Sequence, residues 1–169
     1  MGRGLLTPEN SGLALLDLSQ LDQNYMREAL KQAKRAGDAG EVPIGAVIVH
    51  QNQIIARAYN QVELLHDPTA HAEMIAITQA ADHLKNARLL DAWIYTTIEP
   101  CAMCAGAMVL ARISRLVYGA TDPKAGACGS VINVVRTGKL NHQLEMTRGV
   151  LEEDCRLMIQ AFFQKKRKK

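Results

Sequence analysis

The sequence contains no apolar run near the ~18 residues that a membrane-crossing helix needs. Its 169 residues hold no internal repeat, low-complexity tract or Pro/Gly-rich linker. These absences exclude a membrane span and a solenoid, and the length suits one domain around one core. A secretory leader is also hard to find. The apolar stretch from Leu13 to Leu21 is interrupted by Asp17 and Gln20 and preceded by Pro8-Glu9-Asn10. Met1-Gly2 begins like a myristoylation motif, but Leu6 stands where that motif needs Ser or Thr. Cysteine is sparse, with four residues. Without a secretory context they point to a reducing compartment, hence the cytoplasm, where paired thiols bind metal more often than they form disulfides.

What is present is an ordinary globular composition, 48% hydrophobic and 22% charged, which excludes a disordered chain. The net charge is +3, but Lys165, Lys166, Arg167, Lys168 and Lys169 are all basic, so the rest of the chain is slightly acidic. A block of one sign at a terminus stays solvated or touches nucleic acid. The expected division is a flexible extension over 1–21, a folded domain over 22–163 and a basic tail over 164–169.

Periodicity places the elements. Met26, Leu30 and Ala33 recur at helical spacing and predict a helix from Gln23 to about Ala39, closed by Gly40. Ile44 to Val49 and Ile54 to Ala56, separated by a polar turn at Gln51-Asn52-Gln53, predict a β-hairpin. Asp67-Pro68-Thr69 is a helix-start signal before Met74, Ile75, Ile77 and Ala81. Strands are expected at Ala92–Thr97 and Arg115–Gly119 around a helix from about Cys101 to Arg112. A short strand near Leu144 and a helix from Val150 to about Phe163 complete the chain. This βαβαβ order after a hairpin strand predicts an α/β fold, a mixed five-stranded sheet with helices on both faces.

Two short motifs carry the chemistry. His71-Ala72-Glu73 follows the second helix start, and Pro100-Cys101-Ala102-Met103-Cys104 joins a strand to a helix. Each alone is weak. Together they offer three zinc ligands, His71, Cys101 and Cys104, and leave one tetrahedral position open to water, the count of a catalytic rather than a structural site. Cysteines three apart face one point on a helix's first turn, where free N–H groups and the dipole favour thiolates. Glu73 can stand beside such a metal without ligating it only if His71 lies at the helix start, where the backbone is still changing direction. A carboxylate there can take a proton from water and pass it on. The pair of motifs resembles the signature of the zinc nucleobase deaminases, H-x-E with P-C-x-x-C.

The wider stretches narrow the resemblance. Glu41 to Ala46, Ala58-Tyr59-Asn60, His66 to Glu73, Thr97 to Ala107 and Gly119 to Ala127 closely resemble the bacterial tRNA-specific adenosine deaminases, over roughly Asp22 to Phe163. The resemblance implies a cytidine-deaminase-like, three-layer α/β/α sandwich, a homodimer, and one Zn2+ per subunit. It also implies conversion of adenosine to inosine at the wobble position, 34, of a tRNA anticodon stem-loop, with no membrane partner and no nucleotide cofactor. It assigns His71, Cys101 and Cys104 to zinc and Glu73 to proton transfer. Asn60 matches a contact to the flipped-out nucleotide, Asp122 and Lys124 lie where the family meets the anticodon loop, and Val42 and Pro43 match the pocket wall. Cys128 and the first 21 residues depart from the family pattern. Two other readings stay open: a zinc deaminase of a free base or nucleoside of the cytosine or guanine type, and a non-catalytic zinc-stabilised module with Cys128 as fourth ligand.

Overall fold

The structure is a computed structural model that describes the backbone of residues 8–168 and the side chains of residues 18–168. Five strands form one sheet in the order β2-β1-β3-β4-β5. They are β1 (Gly45–His50), β2 (Gln53–Tyr59), β3 (Trp93–Ile98), β4 (Arg115–Ala120) and β5 (Glu145–Arg148). β1 pairs antiparallel with β2 and β3, while β3–β4 and β4–β5 are parallel. The mixed five-stranded sheet expected from the sequence is therefore present.

Helices cover both faces. On one side α3 (Ala72–Leu84) and α4 (Ala102–Leu110) pack over Ala46, Ile48, Ile94, Leu116 and Tyr118. On the other, α1 (Pro8–Asp38) and the start of α5 (Glu152–Arg167) pack over Val47, Val49, Tyr95 and Val117. Neighbouring strand residues thus feed opposite cores, which is why β1 and β4 read as continuous apolar runs rather than alternating ones. α1 buries Met26, Ala29, Ala33 and Ala36 on one stripe. Its small residues let it lie directly on β1 at Gly45, where a Cβ would come within 2.1 Å of the Ala29 carbonyl oxygen. The hairpin closes through Gln51 and Asn52, both at positive φ, a two-residue turn matched to strand twist.

Several boundaries differ from the expectations. α1 begins at Pro8, not Gln23, so residues 8–21 of the expected extension continue the helix, while residues 1–7 lie outside the described residues. Asp22 is already integral to the fold, paired in the interior with Arg115. α5 runs through Arg167, so the basic segment expected as a separate tail is its last turn, where cations complement the helix dipole; Lys169 lies outside the described residues. Asp67-Pro68-Thr69 does not start a helix. Asp67 Oδ1 accepts from the Thr69 N–H at 2.8 Å and closes a turn, and α3 starts at Ala72. The four-residue α2 (Val62–Leu65) is too short to show a period and was not expected. Among the described residues no helix is long and apolar enough to cross a membrane.

Candidate active site

β2, β3 and β4 all run toward one edge of the sheet, and each delivers a piece of the site just beyond its last residue: Asn60 after β2, Glu99 to Cys101 after β3, and Thr121-Asp122 after β4. The segment from Glu41 to Ile44 enters β1 at the same edge.

His71 and Cys101 hold equivalent places. Each is the N-cap of its helix with extended backbone, φ −71° and −73°, and neither side chain caps its own helix. Their carbonyls instead accept the first helical bonds, from Ile75 N at 3.1 Å and Ala105 N at 2.9 Å. The side chains are left free to converge between two helix N-termini, where the local field favours anionic ligands. His71 Nδ1 lies 3.7 Å from Cys101 Sγ and 3.6 Å from Cys104 Sγ. Tetrahedral bonds of about 2.05 Å to nitrogen and 2.3 Å to sulfur would set these atoms about 3.6 Å apart, so the trio has the spacing of three ligands on one zinc ion. It is the single such group of metal-binding side chains among the described residues.

Charge supports the same reading. Hydrogen bonding from Cys104 and then His71 pushes the Cys101 thiol down to about 3, whereas the bond to Cys101 and burial push Cys104 up. The pair accepts one negative charge readily and resists a second, and a dication is what permits both thiolates. His71 is raised, chiefly by its bond with Cys101.

Glu73 is the second residue of α3 and only 2% exposed. Its Oε2 has no hydrogen-bond partner among the described residues. Burial raises its carboxyl above the usual range. An unpartnered buried carboxylate oxygen costs stability, which marks Glu73 as a candidate functional group. The requirement drawn from the sequence, that His71 and Glu73 sit at a helix start, is met by α3.

A cavity of about 260 Å³ opens beside His71, lined also by Val42, Ile44, Asn60, Glu63 and Lys166. Val42 and Ile44 also line a second cavity of about 390 Å³ that holds Asp122, Lys124, Arg156 and Phe163. Asn60 thus lines the cavity beside His71, Asp122 and Lys124 line the second, and Val42 and Ile44 form the wall the two share. Pro43 does not join the lining; it is buried beside Gly37 of α1. The Asp122 carboxylate is partly committed to its own loop, accepting from Lys124 N at 2.9 Å and Ala125 N at 3.1 Å.

Two buried glutamates went unassigned in the sequence. Glu41 accepts from Asn60 Nδ2 and from the start of α2. Glu99 accepts from the backbone of Asp122, Cys128 and Ser130, each at 3.0 Å, and from the Ser130 hydroxyl. It moors the whole 121–130 loop to the end of β3. Gly126 permits this, since a Cβ there would meet the Glu99 carboxylate at 2.4 Å. Cys128 is buried and bound through its N–H to Glu99, and it falls outside the metal-binding trio.

Fold and site together define a deaminase of the cytidine-deaminase-like α/β class, and the MafB19-like deaminase family matches residues 21–167. The chain is 51% identical to the tRNA-specific adenosine deaminase of Bacillus subtilis over 148 residues, 88% of this chain and 92% of that one. A solved structure from studies of A-to-I editing by tRNA:A34 deaminases superposes with a TM-score of 0.78 and 42% identity, covering 80% of this chain and 98% of the other. A guanine deaminase from Bacillus subtilis aligns over 58% of this chain and 63% of its own, at 41% identity and a TM-score of 0.56. The chain belongs to the family of tRNA-specific adenosine deaminases.

Proposed function

We propose that the protein hydrolyses adenosine to inosine at position 34 of a tRNA anticodon, using one zinc ion per subunit held by His71, Cys101 and Cys104. The observation that carries this is the trio's 3.6–3.7 Å spacing with the buried, unpartnered Glu73 oxygen beside it. Zinc in such a site brings the pKa of water to about 7 and so supplies a nucleophile at neutral pH. The reaction replaces the C6 amino group of adenine with the oxygen of water and releases ammonia. Glu73 takes a proton from the attacking water, delivers it to ring N1, and then carries the second proton to the departing amine. Its burial keeps that proton from bulk water.

A target base must leave its stack to enter the cavity beside His71, which favours an anticodon loop over a duplex. Asn60 and Val42 meet the extruded base. Asp122 and Lys124 meet its neighbours along the second cavity, with Lys166 and the rest of the basic end of α5 near the phosphates. A homodimer is supported by the apolar surface left at Leu90 and at Leu110, which is 81% exposed at the end of α4. Sedimentation at micromolar concentration showing monomer alone would remove it. The four free cysteines suit a reducing compartment, the cytoplasm, where both ligand thiols stay available.

The test compares free adenosine, a linear oligonucleotide and an anticodon stem-loop side by side, with inosine mapped in total tRNA. A strong preference for the stem-loop is expected. Equal rates on all three would move the function to a small purine substrate.

A further inference from the structure

The wall of the cavity beside His71 includes a carboxylate that the chemistry of deamination does not use. Glu41, in the loop between α1 and β1, is 2% exposed. Its Oε2 accepts from Asn60 Nδ2 and from Glu63 N, both at 3.2 Å, and its Oε1 accepts from Leu64 N at 2.7 Å. Glu63 and Leu64 are the second and third residues of α2, whose N-cap Gln61 contributes no side-chain bond. Glu41 therefore supplies the missing cap from 22 and 23 residues away. The same carboxylate settles which way Asn60 points. An amide can offer a neighbour either its oxygen or its NH2 group, but a carboxylate only accepts, so it must take the NH2 end. That turns Asn60 Oδ1 away from Glu41, and among the described residues nothing donates to it.

We infer that Glu41 is a positioning residue for the substrate: it fixes the Asn60 amide so that Oδ1 and one remaining N–H face the extruded base, and it sets the α2 rim beside that base. This rests on Asn60 contacting the nucleotide. The specificity consequence is direct. A fixed amide presents one acceptor and one donor in a set order, whereas a freely flipping amide would accept either order.

The experiment measures stem-loop Kd and KM for the zinc-loaded enzyme with Glu41→Gln, Asn60→Ala, both together, Asn60→Asp, and the exchange that combines Glu41→Gln with Asn60→Asp. Glutamine keeps the shape but presents one acceptor, so Glu41→Gln is expected to weaken binding about 10-fold, the scale of one hydrogen bond to a charged group. Asn60→Ala is expected to do at least as much, and the two together no more than Asn60→Ala alone. Asn60→Asp sets two carboxylates against each other and binds worst. The exchange restores a bond, with the new amide NH2 at position 41 donating to the new carboxylate at position 60, and recovers binding relative to Asn60→Asp. The non-additivity of Glu41→Gln with Asn60→Ala is the readout that a merely structural Glu41 would not give. If Glu41→Gln fails to fold, Glu41→Asp, one methylene shorter, replaces it with the same non-additivity expected. Normal binding by Asn60→Ala would overturn the Asn60 contact itself, and this inference with it. An impaired Asn60→Ala alongside a normal Glu41→Gln, or losses that multiply, would overturn the positioning role alone.

Discussion

The strongest test of the packing logic is the ion pair that ties α1 to the sheet. Arg115 Nη1 and Nη2 donate to the two Asp22 oxygens, each at 2.7 Å, and Nη2 also donates to Thr147 Oγ1 at 2.8 Å. Tyr95 OH donates to Asp22 Oδ1 at 2.8 Å, and the guanidinium stacks 4.9 Å from the Trp93 ring centre. Both charged side chains are more than nine-tenths buried, at 7% and 5% exposure. Asp22→Ala leaves a buried guanidinium without its counter-charge, a change that costs about 3–5 kcal/mol. The tyrosine hydroxyl loses its acceptor as well. For a chain of this size each kcal/mol moves the melting temperature by roughly 2–4 °C, so a drop of ~6–20 °C is expected. Replacing the pair by apolar residues of similar volume, Asp22→Leu with Arg115→Met, removes both charges and should cost clearly less than Asp22→Ala alone. Thermal and urea unfolding of the zinc-loaded protein read this directly. The pair lies on the α1 face, opposite α3 and α4, so kcat measured well below the melting point should stay near normal in both variants. A loss under ~1 kcal/mol for Asp22→Ala, or a double variant as unstable as the single one, would refute the account.

Cys101→Ala should lose both zinc and turnover, checked by metal analysis and inosine formation; full occupancy would sink the ligand assignment. Glu73→Ala should keep its zinc and lose ~10²–10⁴-fold or more in kcat, and near-normal turnover would show that another group moves the protons. Glu99→Gln should raise KM for the stem-loop by loosening the 121–130 loop, and should also flatten the acid limb of stability. Burial works to raise the Glu99 carboxyl, but the bonds from Ser130, Asp122 and Cys128 outweigh it and hold it below the usual range. Its contribution is therefore present above the unfolded value of about 4.3 and is lost as pH falls through the folded value. Unchanged acid unfolding in the variant would contradict this. Exchanging Lys165 and Lys166 for alanine should weaken all RNAs about equally and reduce the salt slope, and a change of preferred sequence instead would place these lysines at the bases.

The convergence of His71, Cys101 and Cys104 and the place of Glu73 at a helix start were legible because the spacing of each motif is local: three residues on one helical turn, two residues at one helix start. β1 and β4 were legible because strands covered on both faces demand unbroken apolar runs. The moorings were not. Glu41 reaches Asn60 across 19 residues, Glu99 reaches Asp122 across 23, and Arg115 reaches Asp22 across 93. No periodicity links such pairs, and an isolated glutamate reads as surface. Asp67-Pro68-Thr69 misled for the opposite reason, since a capping side chain beside a proline closes a turn as readily as it opens a helix. The start of α1 was missed because Asp17, Ser19, Gln20 and Asp22 break the apolar stripe, and one of them, Asp22, is buried by a partner far along the chain.

The direction of the strands also divides the molecule into a working rim and an idle one. Asn60, Cys101 and Asp122 follow the last residues of β2, β3 and β4, whereas the hairpin at Gln51 and Asn52 turns at the opposite end, exposed and anchored by Tyr25 OH donating to the Asn52 carbonyl at 2.9 Å. That turn is a natural handle. A dye, an affinity peptide or a fused second protein inserted there would ride on the first hairpin while leaving open the opposite rim, where we propose that RNA binds.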